Sequence, residues 1–78
     1  MVVIDVLATK MKLADAMEKK GITKRDLQNE VGYSSVQSVY KWLDMTGSTL
    51  PRIDALVEIA DILDLSLDEL IVTRMIAV

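Results

Sequence analysis

The sequence predicts a mainly α-helical fold of five helices with a short β-strand at each end. Apolar residues recur at helical spacing in the second half of the chain, most clearly over residues 51–63. Two short helical segments within residues 23–45 are separated by little more than a glycine, and both chain ends are rich in β-branched residues. A chain of 78 residues is long enough for one domain, which we expect to span 1–78.

Short local signals predict the first elements. The stretch MVVIDVL is too short for a helix and indicates a strand. Thr9 is the expected N-cap of helix 1, which runs to Lys20 with Leu13, Ala16 and Met17 on one face. Gly21 follows two lysines and is expected to end this helix.

The next two helices form a closely connected pair. Thr23 is expected to cap helix 2 with Asp26 as its capping-box partner, and Leu27 and Val31 form a buried pair. Gly32 should end helix 2, and the expected cap of helix 3, which runs to about Met45, is Ser34 or Ser35. Because so short a turn forces a steep crossing, helix 3 would be held out from the domain, where it could enter a groove.

The remaining elements follow a loop, MTGST. Pro51 is expected in the first turn of helix 4, whose apolar positions at helical spacing are Ile53, Leu56, Ala60 and Leu63. The capping box SLDE opens a short helix 5, and LIVTRMIAV indicates a second strand. We expect the two terminal strands to pair, because an isolated strand leaves its backbone groups without hydrogen bonds.

The composition argues against several classes of function. The chain has no cysteine and no histidine, so disulfides and the usual zinc and thiolate chemistry are not expected. No apolar run approaches the roughly 20 residues of a membrane span, and we expect a cytoplasmic protein without membrane contact. The sequence shows no recognisable nucleophile and base pair and no evident cofactor, metal or small-molecule site, so an enzyme is not expected.

Charge is distributed unevenly although the chain is acidic overall, with a net charge of -3. Residues 19–41 carry five basic and two acidic side chains, whereas residues 42–78 carry two basic and seven acidic ones. The acidic positions of helix 4 mark its solvated face. The basic segment could therefore face phosphates while the rest keeps the chain soluble.

The stretch GITKRDLQNEVGYSSVQSVYKWLDMTGSTLPRIDALVEIADILDLSLDEL resembles the Cro/C1-type (lambda-repressor-like, XRE) helix-turn-helix family. The resemblance covers residues from about 9 to 72 and implies a helix-turn-helix unit at about 23–45. It implies a sequence-specific regulator that reads double-stranded DNA with helix 3, and we expect a small repressor of phage or mobile-element type. The alternative is a protein-interaction module of the same fold, such as an antirepressor or an inhibitor of a nucleic-acid enzyme.

The resemblance also implies site residues. Val39 and Trp42 would face the core, and the candidates for base contact are Val36, Gln37, Ser38, Tyr40 and Lys41. Glutamine can pair with adenine and lysine with guanine. The S-x-x-Q spacing leaves Gln37 an alternative role as a capping residue, and Lys41 could be an ordinary solvated lysine.

Candidates for phosphate contact are Lys24, Tyr33, Ser34, Ser35 and Arg52. The serines could instead serve only as caps, the tyrosine as a turn residue, and the two basic residues as ordinary surface charges. The chain departs from the family in four ways that bear on these positions, one of which is that the segment between Gly32 and Val39 is one residue longer than in many relatives. Gln28 stands where many members have a small residue, Met17 replaces a basic residue late in helix 1, and Arg52 is a poor helix cap.

The terminal strands lie outside the helix-turn-helix. We expect a homodimer formed through them, because a two-stranded ribbon leaves two open edges and the ends are apolar. The apolar side chains expected to be buried in this way are Val3, Val6, Ile71 and Ile76 or their neighbours. A monomer whose ribbon packs on its own helices is the alternative.

Overall fold

The computed structural model describes residues 1–31 and 36–77, with the side chain of Val36 excepted. In this part of the chain five helices lie between two short strands. The elements in chain order are β1 (Val2–Ile4), α1 (Val6–Lys20), α2 (Lys24–Glu30), α3 (Val36–Leu43), α4 (Ile53–Ile62), α5 (Leu67–Leu70) and β2 (Thr73–Met75). This agrees with the predicted mainly α-helical class with paired terminal strands.

Helix α1 begins earlier than its sequence predicts. Its N-cap is Asp5, whose carboxylate accepts a hydrogen bond of 2.9 Å from the Ala8 backbone N–H, so the prediction of Thr9 as the cap was wrong. Thr9 is instead buried one turn into the helix. The predicted C-cap is confirmed, because Gly21 adopts the left-handed conformation with φ 68° that glycine accepts without strain.

Helix α2 carries the predicted capping box. The Thr23 hydroxyl accepts from the Asp26 N–H, and the Asp26 carboxylate accepts from the Thr23 N–H. Leu27 and Val31 are fully buried, as predicted. The expected roles of Gly32, Ser34 and Ser35 lie outside the described residues.

Helix α3 ends at Leu43, two residues before the predicted end. The Asp44 carboxylate accepts hydrogen bonds from both the backbone N–H and the hydroxyl of Thr46. The Asp44 carbonyl accepts from the Gly47 N–H at 3.2 Å. These local bonds form a turn that competes with further helix.

Helix α4 differs from its prediction at its start. Arg52 is the N-cap and makes no side-chain cap hydrogen bond, so Pro51 precedes the helix instead of lying in its first turn. Ile53, one of the four apolar positions whose spacing predicted this helix, is 66% exposed and does not lie on the buried face of α4. That face consists of Ala55, Leu56, Ile59 and Ala60, continued by Leu63.

The two ends of the chain meet as predicted. Strands β1 and β2 are antiparallel, with Val2 opposite Met75, Val3 opposite Arg74 and Ile4 opposite Thr73. Both strands are shorter than the apolar stretches that predicted them. Strand β1 ends at Ile4 because the next residue, Asp5, is the N-cap of α1. The predicted capping box between Ser66 and Glu69 opens α5.

One apolar core holds the helices together. Val39 and Trp42 of α3 belong to this core together with residues of the other four helices. Among the described residues, its buried members are Leu13, Met17, Leu27, Val31, Val39, Trp42, Ala55, Leu56, Ile59, Ala60, Leu63 and Leu70. Helix α3 contacts α1 and α2, so these two helices position it.

Candidate nucleic-acid interface

Helix α3 is divided into a buried and an exposed side. Val39 and Trp42 are buried, as predicted, whereas Gln37, Tyr40 and Lys41 are exposed. Gln37 and Lys41 are four residues apart and therefore lie on one face of the helix. This face presents an amide and an ammonium group to solvent, which are hydrogen-bonding groups of the kind that can reach base edges.

Ser38 has a different environment from the other base-contact candidates. It is half-buried and lines a cleft with Trp42, Leu50 and Arg52, between α3 and the start of α4. Arg52 is exposed at the mouth of this cleft. The structure thus brings Ser38 close to a phosphate-contact candidate.

Lys24 and Tyr40 come together across the two helices. The Lys24 ammonium lies 5.0 Å from the centroid of the Tyr40 ring, within the range of a cation–π contact. Tyr40 is 52% exposed, so this contact lies at the surface. It places a positive charge from the first residue of α2 beside α3.

The basic side chains of residues 19–41 are exposed. They are those of Lys19, Lys20, Lys24, Arg25 and Lys41. Lys19 forms an ion pair of 3.0 Å with Asp15 on the preceding turn of α1. These positive charges are therefore accessible to an anionic partner, although Lys19 is already paired with Asp15.

The departures from the family pattern have structural counterparts. Met17 is buried in the core, so in this chain that position does not face solvent. Gln28 is half-buried and lines a groove with Arg25, Asn29 and Tyr40 between α2 and α3. A glutamine is thus accommodated where the two helices approach each other.

Lys10 was not recognised as a site residue from the sequence. It is fully buried, and its ammonium group donates hydrogen bonds to the backbone carbonyls of Lys41 at 2.7 Å and Asp44 at 2.8 Å. A signal was present, because Lys10 lies three residues before Leu13 and seven before Met17, on the apolar face of α1. A charged residue on such a face is a candidate for a specific buried partner.

Three phosphate-contact candidates, Tyr33, Ser34 and Ser35, lie outside the described residues, and so does the side chain of the base-contact candidate Val36. Among the described residues, no group of three or more acidic residues is arranged to hold a metal ion. None of the helices in the described part of the chain has the length and apolarity needed to cross a membrane.

A family model described as a helix-turn-helix matches residues 13–70. The match begins within α1 and ends at the last residue of α5, so β1, β2, Thr9 and Lys10 lie outside it. No curated protein and no solved structure matches the chain.

Proposed function

Because the chain belongs to the Cro/C1-type helix-turn-helix family of DNA-binding transcription regulators, we propose that it is a small sequence-specific repressor of phage or mobile-element type. Helix α3 enters the major groove, and the helix-turn-helix unit spans about residues 23–45 of a single domain. The protein acts in the cytoplasm by binding and without catalysis.

The observation that carries this proposal is the division of α3 into two sides. Burial of Val39 and Trp42 fixes the orientation of the helix, and Gln37 and Lys41 then share the opposite, exposed side. A recognition helix must offer such groups to base edges while its other side is held by the domain. Lys41 donates to guanine O6 or N7, and Gln37 pairs with adenine N6 and N7.

Phosphate contacts position this helix in the groove. Lys24 and Arg52 are exposed on either side of α3, at the starts of α2 and α4. Together with Tyr33, Ser34 and Ser35, they form the proposed phosphate-contacting set. These contacts set the register of the protein on DNA without reading the sequence.

The active form is a homodimer joined through the terminal strands. Residues that face each other in the ladder project to the same side, so Val2, Ile4, Thr73 and Met75 share one face of the sheet. All four are exposed, and three are apolar. The side chains first expected in this interface, Val3, Val6, Ile71 and Ile76, are half-buried within the single chain, so we assign the interface to the exposed face, which a second copy would cover. Two-fold symmetry would place two recognition helices about 34 Å apart on a palindromic site.

Selection of bound sequences from a random duplex DNA pool tests the function. We expect one enriched sequence, an inverted repeat, whose affinity falls with salt with a log–log slope of about -3 to -5 per subunit. Binding that is flat between low and physiological salt would contradict the phosphate-contacting set. Failure to bind any selected pool at low salt would overturn the regulator and favour the alternative of a protein-interaction module.

A further inference from the structure

Lys10 places a charged group inside the protein, in the second turn of α1. Its side chain is fully buried, and its ammonium group donates hydrogen bonds to two backbone carbonyls, those of Lys41 and Asp44. Burying an ammonium group is unfavourable unless hydrogen bonds replace the lost water. A leucine or methionine would avoid this cost, so the buried lysine calls for a specific reason.

The Lys41 carbonyl lies in the last turn of α3, and the Asp44 carbonyl belongs to the residue that directly follows the helix. The last carbonyls of a helix have no partner within the helix and carry the negative end of its dipole. The Asp44 N–H reaches the Lys41 carbonyl only at 3.4 Å, whereas the Lys10 ammonium reaches it at 2.7 Å. Lys10 is therefore the closer donor to this carbonyl, and it joins the last turn of α3 to α1.

The hydrogen bonds of Lys10 go to the carbonyls of Lys41 and Asp44 and not to the Asp44 carboxylate. That carboxylate accepts hydrogen bonds from the hydroxyl and the N–H of Thr46, at 2.7 Å and 3.0 Å. Contact between Lys10 and α3 is thus made through backbone atoms. Such a contact holds the helix axis, and with it every side chain on α3.

We propose that Lys10 is a positioning residue for sequence recognition: it sets the orientation of α3 on the body of the protein and thereby the reach of Lys41 and Gln37 into the groove. The proposal rests on the proposed function. One of the carbonyls that Lys10 binds belongs to Lys41 itself, and Gln37 lies one turn earlier on the same face. Binding geometries of this kind tolerate displacements of only about 0.5 Å or 10–20°.

The test replaces Lys10 with methionine, which keeps the length of the apolar stem and removes the ammonium group. For Lys10→Met we expect the ratio of affinities for the selected site and for random DNA to fall about tenfold to a hundredfold, because base contacts lose their geometry. Affinity for random DNA should stay within about twofold, since phosphate contacts supply it. An unchanged ratio in the folded variant would overturn the proposal, whatever the change in melting temperature.

Lys12→Met is the matched control. Lys12 is exposed on the same helix, two residues away, so this variant loses the same charge without touching α3. We expect it to keep the ratio of the wild-type protein. An equal fall of the ratio in both variants would show that net charge is responsible and would also overturn the proposal.

A measurement without DNA separates this inference from the proposed function. Residual dipolar couplings in the free protein report the angle between α1 and α3, and we expect this angle to differ between wild type and Lys10→Met. If wild type selects no DNA sequence, the proposed function fails, and an unchanged angle would overturn the role of Lys10 as well. Should Lys10→Met not fold, Lys10→Leu, which also removes the donor, is measured with the same expectations.

Discussion

Thr9 and Val72 exchange two hydrogen bonds. The Thr9 hydroxyl accepts from the Val72 backbone N–H at 3.0 Å and donates to the Val72 carbonyl at 3.3 Å. That carbonyl also accepts from the Asp5 N–H at 2.8 Å. A single side chain of α1 thereby anchors the segment between α5 and β2, and with it the pairing of the two chain ends.

Replacing Thr9 with valine should destabilise the protein. The substitution conserves shape but leaves the Val72 N–H without its partner in a position where Thr9 is 2% exposed. An unsatisfied buried donor costs about 1–3 kcal/mol, which urea denaturation would resolve. Thr73→Val, at an exposed neighbouring threonine, is the control and should have a small effect. Equal stability of Thr9→Val and wild type would contradict the importance of this contact.

Asp64→Gly should stabilise the protein. Asp64 directly follows Leu63, the C-cap of α4, and has φ 55°, in the left-handed region that costs a non-glycine residue about 1–2 kcal/mol. Glycine removes this strain but gains freedom in the unfolded chain, so we expect a net gain of about 0.5–1 kcal/mol. Asp61→Gly, inside the same helix, should be destabilising. A lower melting temperature for Asp64→Gly would show that its side chain has a role beyond the turn.

Acid should weaken the helix caps. The pKa of Asp26 is lowered by hydrogen bonds from the Thr23 backbone and hydroxyl, and that of Glu69 by the same groups of Ser66. Because each folded-state pKa lies below its unfolded value, the stabilisation is present above about pH 4 and is lost as pH falls through the folded pKa. The pKa of Asp44 is lowered chiefly by the hydrogen bond from the Thr46 hydroxyl, so its contribution to stability is also lost as pH falls through the folded pKa.

Thermal unfolding between pH 7 and pH 2 measures this effect. The double variant Asp26→Asn, Glu69→Gln keeps an acceptor oxygen at each cap but cannot titrate there. We expect its melting temperature to fall less between pH 5 and pH 2 than that of wild type. An identical fall in both proteins would mean that other groups govern acid unfolding.

Substitutions in α3 should separate base reading from phosphate contact. Lys41→Ala and Gln37→Ala should each cost about 1–3 kcal/mol at the selected site and relax the sequence preference. Lys24→Ala should weaken binding to all sequences about equally, and Lys12→Ala is the control for net charge. These affinities can be measured by gel-shift titration. If Gln37→Ala instead lowers the melting temperature and leaves the sequence preference unchanged, this result would support the capping role of Gln37.

The dimer can be tested on the exposed face of the sheet. Met75 is 72% exposed there, and Val57 is an apolar residue 52% exposed on α4. By light scattering at micromolar concentration, we expect a dimer for wild type and Val57→Glu and a monomer for Met75→Glu, because the charge would be buried in the interface. A monomeric wild type, or a dimeric Met75→Glu, would contradict assembly through the strands.

Interactions between residues no more than four positions apart were sufficient to predict much of this fold. The caps at Gly21, Thr23 and Ser66 were predicted correctly because each involves bonds to residues no more than four positions away. The resemblance to the helix-turn-helix family predicted that Val39 and Trp42 face the core, and the spacing of three residues between them supports this for Trp42. The site was predicted from the same resemblance, as the outward side of α3, and its roles in binding remain predictions.

The sequence by itself thus determined the order of the elements, the helix-turn-helix and the two sides of α3, because these depend on local hydrogen bonds and on helical periodicity. Only the tertiary structure decided that Asp5 caps α1 and that Thr9 is buried, since Thr9 is held by Val72, 63 residues away. It also decided the partners of Lys10, which are backbone carbonyls 31 and 34 residues further along the chain. Backbone carbonyls are the same in every residue, so no sequence pattern identifies them as partners.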